Sequence, residues 1–308
     1  MSIVAMHIHS FSLRYQFRYR DDFDVFDFID LAHTEGFAGV NISANGPGYR
    51  DLCGTTGEHF EAVRRALSER GMGCELDTSD TSYENMTTMI DVAKSCGADQ
   101  LRTYTRYPRE MPDIIERTIE DLKSIADYAE KSKVRVLLEN HEDFNGPQIA
   151  QILNVVDHPW IGALYDYGNS QMVGEDPFVA LDAMQPHISA VHMKDHVMIH
   201  HDGKAIVQGV SMGQGRLPIM DITRRLLDTG LERICFENVW SYNAPLLTPE
   251  KNLPHTACFE FDNQLACLTG DELSQDDALN GEMVAFRQGW DWLRNMFERD
   301  EISLSQVS

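Results

Sequence analysis

Val134-Arg135-Val136-Leu137-Leu138-Glu139 is a nearly continuous apolar run that ends on an acid. Such a run suits a parallel strand covered on both faces, because a half-exposed strand would alternate apolar and polar residues. Just upstream, Ile114, Ile115, Ile119, Leu122, Ile125, Ala126 and Ala129 recur at helical spacing within 113–131. Just downstream, a helix is expected over 147–156 and a second apolar strand over 161–166. Strand, helix, strand is the parallel crossover unit, and here it repeats in both directions. Strands are expected at 3–9, 37–42, 73–78 and 100–104 before this stretch, and at 188–193 and 233–237 after it. The remaining helices are expected at 21–35, 57–70, 83–95, 177–184, 219–228 and 282–298. Eight strands, each followed by a helix, imply an α/β fold of the (β/α)8 TIM barrel type, and 308 residues suit one such domain over 1–308. An open dinucleotide-binding sheet would need a GxGxxG turn after its first strand, which this chain lacks.

Two connections break the regular spacing. Residues 196–215 are long enough for a hairpin or an active-site flap. Residues 239–281, with a C-terminal extension at 243–281, carry Leu246, Leu247, Phe259, Phe261 and Leu265. A solvated loop needs no such side chains, so this segment is expected to cover the barrel mouth or to bury itself against a second subunit of a homo-oligomer.

Acidic residues outnumber basic ones by 49 to 26, for a net charge of −23. That excess repels phosphate backbones and argues against a nucleic-acid partner. It does not by itself argue for a metal, because acidic surfaces ordinarily serve solubility. No apolar run approaches the roughly 20 residues a bilayer span requires, so no membrane partner is expected. The opening Met1-Ser2-Ile3-Val4-Ala5-Met6-His7 has neither a basic flank nor a long apolar segment, and reads as a strand rather than a signal peptide. Six cysteines without a CxxC pair read as free, mostly buried thiols. A cytoplasmic setting is the expectation that follows.

Barrel active sites lie at the carboxyl ends of the strands. Strand five ends at Glu139, six at Asp166, seven at His192 and eight at Glu237. Because side chains alternate, these four should continue inward-facing columns with Leu137, Leu164, Ala190 and Cys235. Any one of them reads equally well as an ordinary polar residue where a strand meets a loop. Four at successive strand ends do not, since three converging carboxylates would repel one another unless a cation joined them. Three oxygen donors and one imidazole suit Mn²⁺ or Mg²⁺, with Co²⁺ or Zn²⁺ also admissible.

The segments Leu138-Glu139-Asn140-His141, Asp166-Tyr167-Gly168-Asn169, Val191-His192-Met193-Lys194-Asp195 and Phe236-Glu237-Asn238, with Gly213-Gln214-Gly215, resemble the xylose isomerase-like TIM barrel superfamily. That group of sugar phosphate isomerases and epimerases also includes dehydratases and the endonuclease IV relatives. The resemblance covers 3–240 and implies that Glu139, Asp166, His192 and Glu237 are metal ligands. It further implies that Glu139 and Glu237 act as the acid and base on opposite sides of a substrate carbon. Two positions depart from the ketose 3-epimerase pattern: Asn169 stands where a second histidine is found, and Met198 where an arginine is found. The endonuclease branch needs more histidines and a basic face, and this chain supplies neither.

Further residues share the rim. Lys194, two past His192, is a candidate catalytic group that could reach a substrate oxygen; the plainer reading is a solvated loop lysine. His141, Arg102, Tyr104, His9, Asn169 and His196 are candidate substrate contacts, against the plainer reading of packing or solvated residues. The function expected is a divalent-metal-dependent isomerase or epimerase acting on a sugar or sugar-derived keto acid through a metal-stabilised enediolate. The alternative is a lyase on the same scaffold: a dehydratase, a 3-oxo sugar acid decarboxylase or a 3-oxo-glycoside eliminase. A non-catalytic ligand-binding barrel is the third reading, and it would close the coordination shell to substrate.

Overall fold

The computed structural model describes residues 3–270 and 272–305. Met1 and Ser2, read from sequence as leading into the first strand, lie outside the described residues, as do Asp271 and 306–308 of the expected single domain. Twelve strands are present among the described residues: β1 (Ile3–His9), β2 (Gly39–Ser43), β3 (Gly73–Asp77), β4 (Gln100–Thr103), β5 (Arg135–Glu139), β6 (Ile161–Asp166), β7 (Ile188–Met193), β8 (His196–His201), β9 (Lys204–Gly209), β10 (Arg233–Phe236), β11 (Asn243–Pro245) and β12 (Ser303–Leu304). Strands β1 to β7 pair in sequence order, all parallel, and β10 closes the ring between β7 and β1. This is the eight-stranded TIM barrel expected. Leu137, Leu164 and Ala190 form their own buried cluster inside it, which puts the carboxyl-terminal polar residues of β5, β6 and β7 on the same inward columns. At the opposite end of the interior, His7 meets Glu75, and Arg233 links Glu75 to Asp99.

The helices are α1 (Arg14–Tyr19), α2 (Val25–Thr34), α3 (Gly57–Glu69), α4 (Tyr83–Cys96), α5 (Ile114–Ser132), α6 (Gly146–Val156), α7 (Asn169–Met172), α8 (Pro177–Met184), α9 (Ile219–Leu227) and α10 (Gln275–Arg299). Two starts differ from the sequence reading for the same physical reason. The helix expected from 21 begins at Val25, because Asp24 accepts the amides of Phe26 and Asp27 while Asp27 returns a bond to the Asp24 amide. The final helix expected over 282–298 begins at Gln275, because the Ser274 side chain accepts the Asp277 amide. Residues after β1 also coil into α1, a short helix the sequence reading passed over. Glu282 of α10 accepts the amides of Tyr15 and Gln16, so the last helix caps the first.

The 196–215 connection is a hairpin, β8 against β9, and β11 from the long connection adds a third antiparallel strand. Asp195 pins its base: the carboxylate accepts the amides of His196, Gly213, Gly215 and Leu217. A side chain at Gly215 would overlap Asp195 Oδ1, which explains the glycine. Phe259 of the long segment is buried, while Leu246 and Phe261 pack against the core and Leu247 and Leu265 stay exposed. Val239 and Tyr242, at its start, line the cleft at the carboxyl end of the barrel. None of the helices among the described residues is long and apolar enough to cross a membrane.

Candidate metal centre and catalytic cleft

Glu139, Asp166 and His192 each place a ligand atom within 4.8 Å of the other two, so this buried trio could hold a metal ion. Registry explains the meeting, since Asp166 pairs with His192 across β6 and β7. Glu237 sits one residue beyond β10 and is positioned by its amide, which donates to Met193 O at 2.9 Å. Its Oε2 lies 3.9 Å from His192 Nδ1, outside the tight trio but against the same imidazole.

The fit of these four to a cation can be judged from how their buried atoms are met. Glu139 Oε2 and His192 Nδ1 are buried without a close hydrogen bond among the described residues, while the buried Asp166 Oδ2 and Glu237 Oε2 are met by the Lys194 ammonium. The other faces of the same groups are fixed. Asp166 Oδ1 accepts the amides of Gly168 and Asn169, both at 2.8 Å, and His192 Nε2 faces the Asn41 amide at 3.0 Å. Buried carboxylates are costly unless paired, and acceptors crowded this closely around one ammonium and one imidazole suit a cation. Charge agrees: four buried carboxylates (Asp77, Glu139, Asp166, Glu237) face two permanent cations, Arg102 and Lys194. The excess is two negative charges, the charge of a divalent ion.

Lys194 Nζ lies 2.8 Å from Asp166 Oδ2, 3.1 Å from Glu237 Oε2 and 3.3 Å from Asn169 Oδ1. Arg102 spans Asp77 Oδ2 at 2.7 Å and Glu139 Oε2 at 3.4 Å. Burial works against charge on Glu139, but Arg102 and His192 outweigh it and hold the carboxyl near 2. Burial likewise opposes charge on Glu237, yet Lys194 and His9 hold it well below the usual range. Asp166 goes the other way: burial, backed by Glu139 and Glu237, pushes it to about 6 against the pull of Lys194. Burial disfavours a charged His192, but Asp77, Glu139 and Glu237 lift it to about 9. The field that favours an imidazolium would favour a metal cation more.

A second overlapping trio, His9, Asp77 and His192, also lies within 4.8 Å. In it His9 bonds Asp77, and Asp77 also holds Arg102. The first trio offers two carboxylates to one imidazole, with Glu237 beside it, and is the stronger candidate for a hard divalent ion.

A cleft of about 130 Å³ opens above these groups, lined by His9, Arg102, Tyr104, Glu139, His141, Asn169, Lys194 and Glu237 among others. His141 stacks flat on Tyr104, ring centres 4.0 Å apart, and burial lowers it to about 4, so it is neutral near pH 7. Asn169 lies between Glu139 Oε1 and Lys194 Nζ. His196 is a correction. Expected as a rim contact, it is fully buried under Gly168, where an added Cβ would come within 2.6 Å of the imidazole, and it does not line the cleft. The reason is that the chain turns into β8 at His196, so the column that carries His192 and Lys194 ends there. Sequence reasoning missed Asn41, Ser43 and Asp77 as site groups. The alternation of Gly39-Val40-Asn41-Ile42-Ser43 and Glu75-Leu76-Asp77, read as it was for β5 to β7, marks them as inward-facing.

Comparison with known proteins follows from this geometry. YihM of Escherichia coli, an uncharacterised protein, is 22% identical over 66% of this chain and 63% of its own length. The 3-oxo-isoapionate decarboxylase of Pectobacterium atrosepticum is 20% identical over 47% of this chain and 52% of its own. The chain thus spans less than two thirds of the length of these curated relatives. Among solved structures, a D-psicose 3-epimerase determined in the presence of D-fructose superimposes with a TM-score of 0.61 at 11% identity, covering 91% of this chain and 97% of that one. That likeness is one of fold. The family described as xylose isomerase-like TIM barrel matches residues 29–257, and the chain belongs to it.

Proposed function

We propose that this protein is a divalent-metal-dependent isomerase or epimerase of a sugar or sugar-derived keto acid, with Glu139, Asp166, His192 and Glu237 as the metal ligands. The observation that carries the reading is the buried convergence of Glu139, Asp166 and His192, whose ligand atoms lie within 4.8 Å of one another, with Glu237 against the same imidazole. Three oxygen donors and one nitrogen favour Mn²⁺ or Mg²⁺, with Co²⁺ or Zn²⁺ as alternatives. When bound, the ion would supply Lewis-acid polarisation of a substrate carbonyl and its neighbouring hydroxyl.

The chain's own groups supply the rest. Glu139 and Glu237 both line the cleft and are held ionised, so either can accept a proton from a carbon beside the carbonyl. Lys194, which burial disfavours but Asp166, Glu237 and Glu139 keep charged, donates to a substrate oxygen rather than acting as a base. Neutral His141 and the amide of Asn169 contact hydroxyls, with Arg102 and Tyr104 behind them.

A lyase is the second reading. Asn169 favours it: an amide cannot titrate, so this position offers no proton relay for epimerisation. The resemblance to a 3-oxo-isoapionate decarboxylase points the same way.

The test is Glu139→Gln and Glu237→Gln, each assayed after metal content is measured, on a panel of ketoses and 3-oxo sugar acids in deuterated water. At least one variant should keep its metal and lose turnover by about 100-fold or more. Solvent deuterium should enter the product of the intact enzyme. If both variants turn over near-normally, neither glutamate is the base. Release of carbon dioxide or water in place of deuterated isomer would select the lyase.

A further inference from the structure

A second cavity adjoins the catalytic cleft. It measures about 560 Å³ and lies between α1, the loop after β2 and the chain following β10. Phe11, Arg50 and Tyr242 line both spaces, so the two adjoin across these side chains. Small-molecule sites run roughly 300–1,000 Å³. The catalytic cleft is below that range and the neighbouring cavity within it, which leaves room beside the cleft for a further part of a substrate.

The cavity's chemistry is unlike the chain's. In a protein with nearly twice as many acids as bases, Arg14, Arg18 and Arg50 all line this one space. Its one acid, Asp51, is buried and bonded to Ser10. Arg14 is rigidly held: Nη2 donates to Trp240 O at 2.7 Å and Ser241 Oγ at 3.2 Å, and its guanidinium rests on the rings of Phe11 and Tyr15. Yet Nη1 of the same group is buried and has no acceptor among the described residues. A guanidinium fixed in the lining of the cavity presents a set positive charge to an oxyanion there. Arg50, at the seam, is held by Ser43 Oγ at 3.1 Å, has its Nε 3.7 Å from Asp51 Oδ1, and keeps a half-exposed side chain.

We infer that this cavity binds an anionic group, carboxylate or phosphate, carried by the substrate on the end away from the reacting carbons, with Arg14 and Arg50 as its contacts. The inference rests on the catalytic reading above in taking the cleft as the reacting end.

The experiment is calorimetric titration of the full chain with three hexuloses alike except at the terminal carbon: D-fructose, D-fructose 6-phosphate and D-fructuronate. One of the two anions should bind about ten-fold or more tightly than fructose, and which one identifies the group. Arg50→Met and Arg14→Met should each weaken binding of the favoured anion several-fold more than they weaken binding of fructose. Arg50 is exposed enough that its variant tests the idea even if Arg14→Met does not fold. Equal binding of all three sugars, or an anion preference untouched in Arg50→Met and in any folded Arg14→Met, overturns the inference. Mn²⁺ retention, measured on the same samples, tests the metal reading separately: arginine-dependent anion binding without bound metal would sink that reading and keep this one.

Discussion

Lys194→Met separates the role of a buried cation from that of a metal. The side chain is about one-tenth exposed, and its ammonium pairs with Asp166 at 2.8 Å and Glu237 at 3.1 Å. Methionine keeps the length and much of the packing but removes the charge. Without metal, four carboxylates would then face only Arg102 and the protonated His192. Breaking a buried ion pair from one side costs about 3–5 kcal/mol. Uptake of a proton by Asp166, already raised to about 6, caps the cost toward the lower figure. For a chain of this size 1 kcal/mol corresponds to about 2 °C in Tm, so metal-free Lys194→Met should melt about 6 °C below wild type. Mn²⁺ should reverse more of that loss than it adds to wild type, because it no longer competes with an ammonium for Asp166 and Glu237. A ligand at 100 times its Kd adds about 2.7 kcal/mol, or about 5 °C, and the variant should exceed that increment at the same Mn²⁺ concentration. Turnover should fall even with metal bound. The assay is paired thermal melts, chelator-treated and Mn²⁺-loaded. A metal-free variant that melts within about 2 °C of wild type, or equal Mn²⁺ increments in both proteins, would refute the reasoning.

Two further outcomes follow. Gly215→Ala should destabilise the protein by about 2 kcal/mol or more and open the hairpin base to proteolysis, because the added carbon overlaps Asp195 Oδ1 and displaces the acceptor of four amides; an unchanged melt and cleavage pattern would show that the turn has another anchor. Metal affinity should rise with pH, since binding to the metal-free site must expel the proton that His192 holds up to about 9 and, below about 6, a second one from Asp166. Calorimetry in buffers of different ionisation enthalpy should count about one proton released per ion at pH 7.5 and about two at pH 5, and no release at either pH would contradict the ligand set.

How much of this was legible in the sequence depends on where each residue's environment is decided. The barrel was legible because the buried strands are themselves apolar: β5 reads as a parallel strand without any knowledge of its neighbours. The trio Glu139, Asp166 and His192 was legible for a related reason. Alternation along one strand fixes which way its last residue faces, and closing the barrel brings those ends together. The same rule, which placed His9 at the rim, also assigns Asn41 and Asp77 to the interior; what hid those two was that each strand was weighed alone, whereas His9, Asp77 and Arg102 make sense only as a network across three strands. The start of α2 was also written in the chain, as Asp24 followed three residues later by Asp27, the reciprocal cap that ended up forming. Other features have no local signal. His196 continues the inward parity of His192 and Lys194, and only the turn into an antiparallel hairpin takes it out of the cleft. The arginine-lined cavity joins residues 14, 50 and 242, which no period in the sequence connects. Strand ends fix where catalytic groups point; the loops fix what else a substrate must carry, and that second kind of information is tertiary.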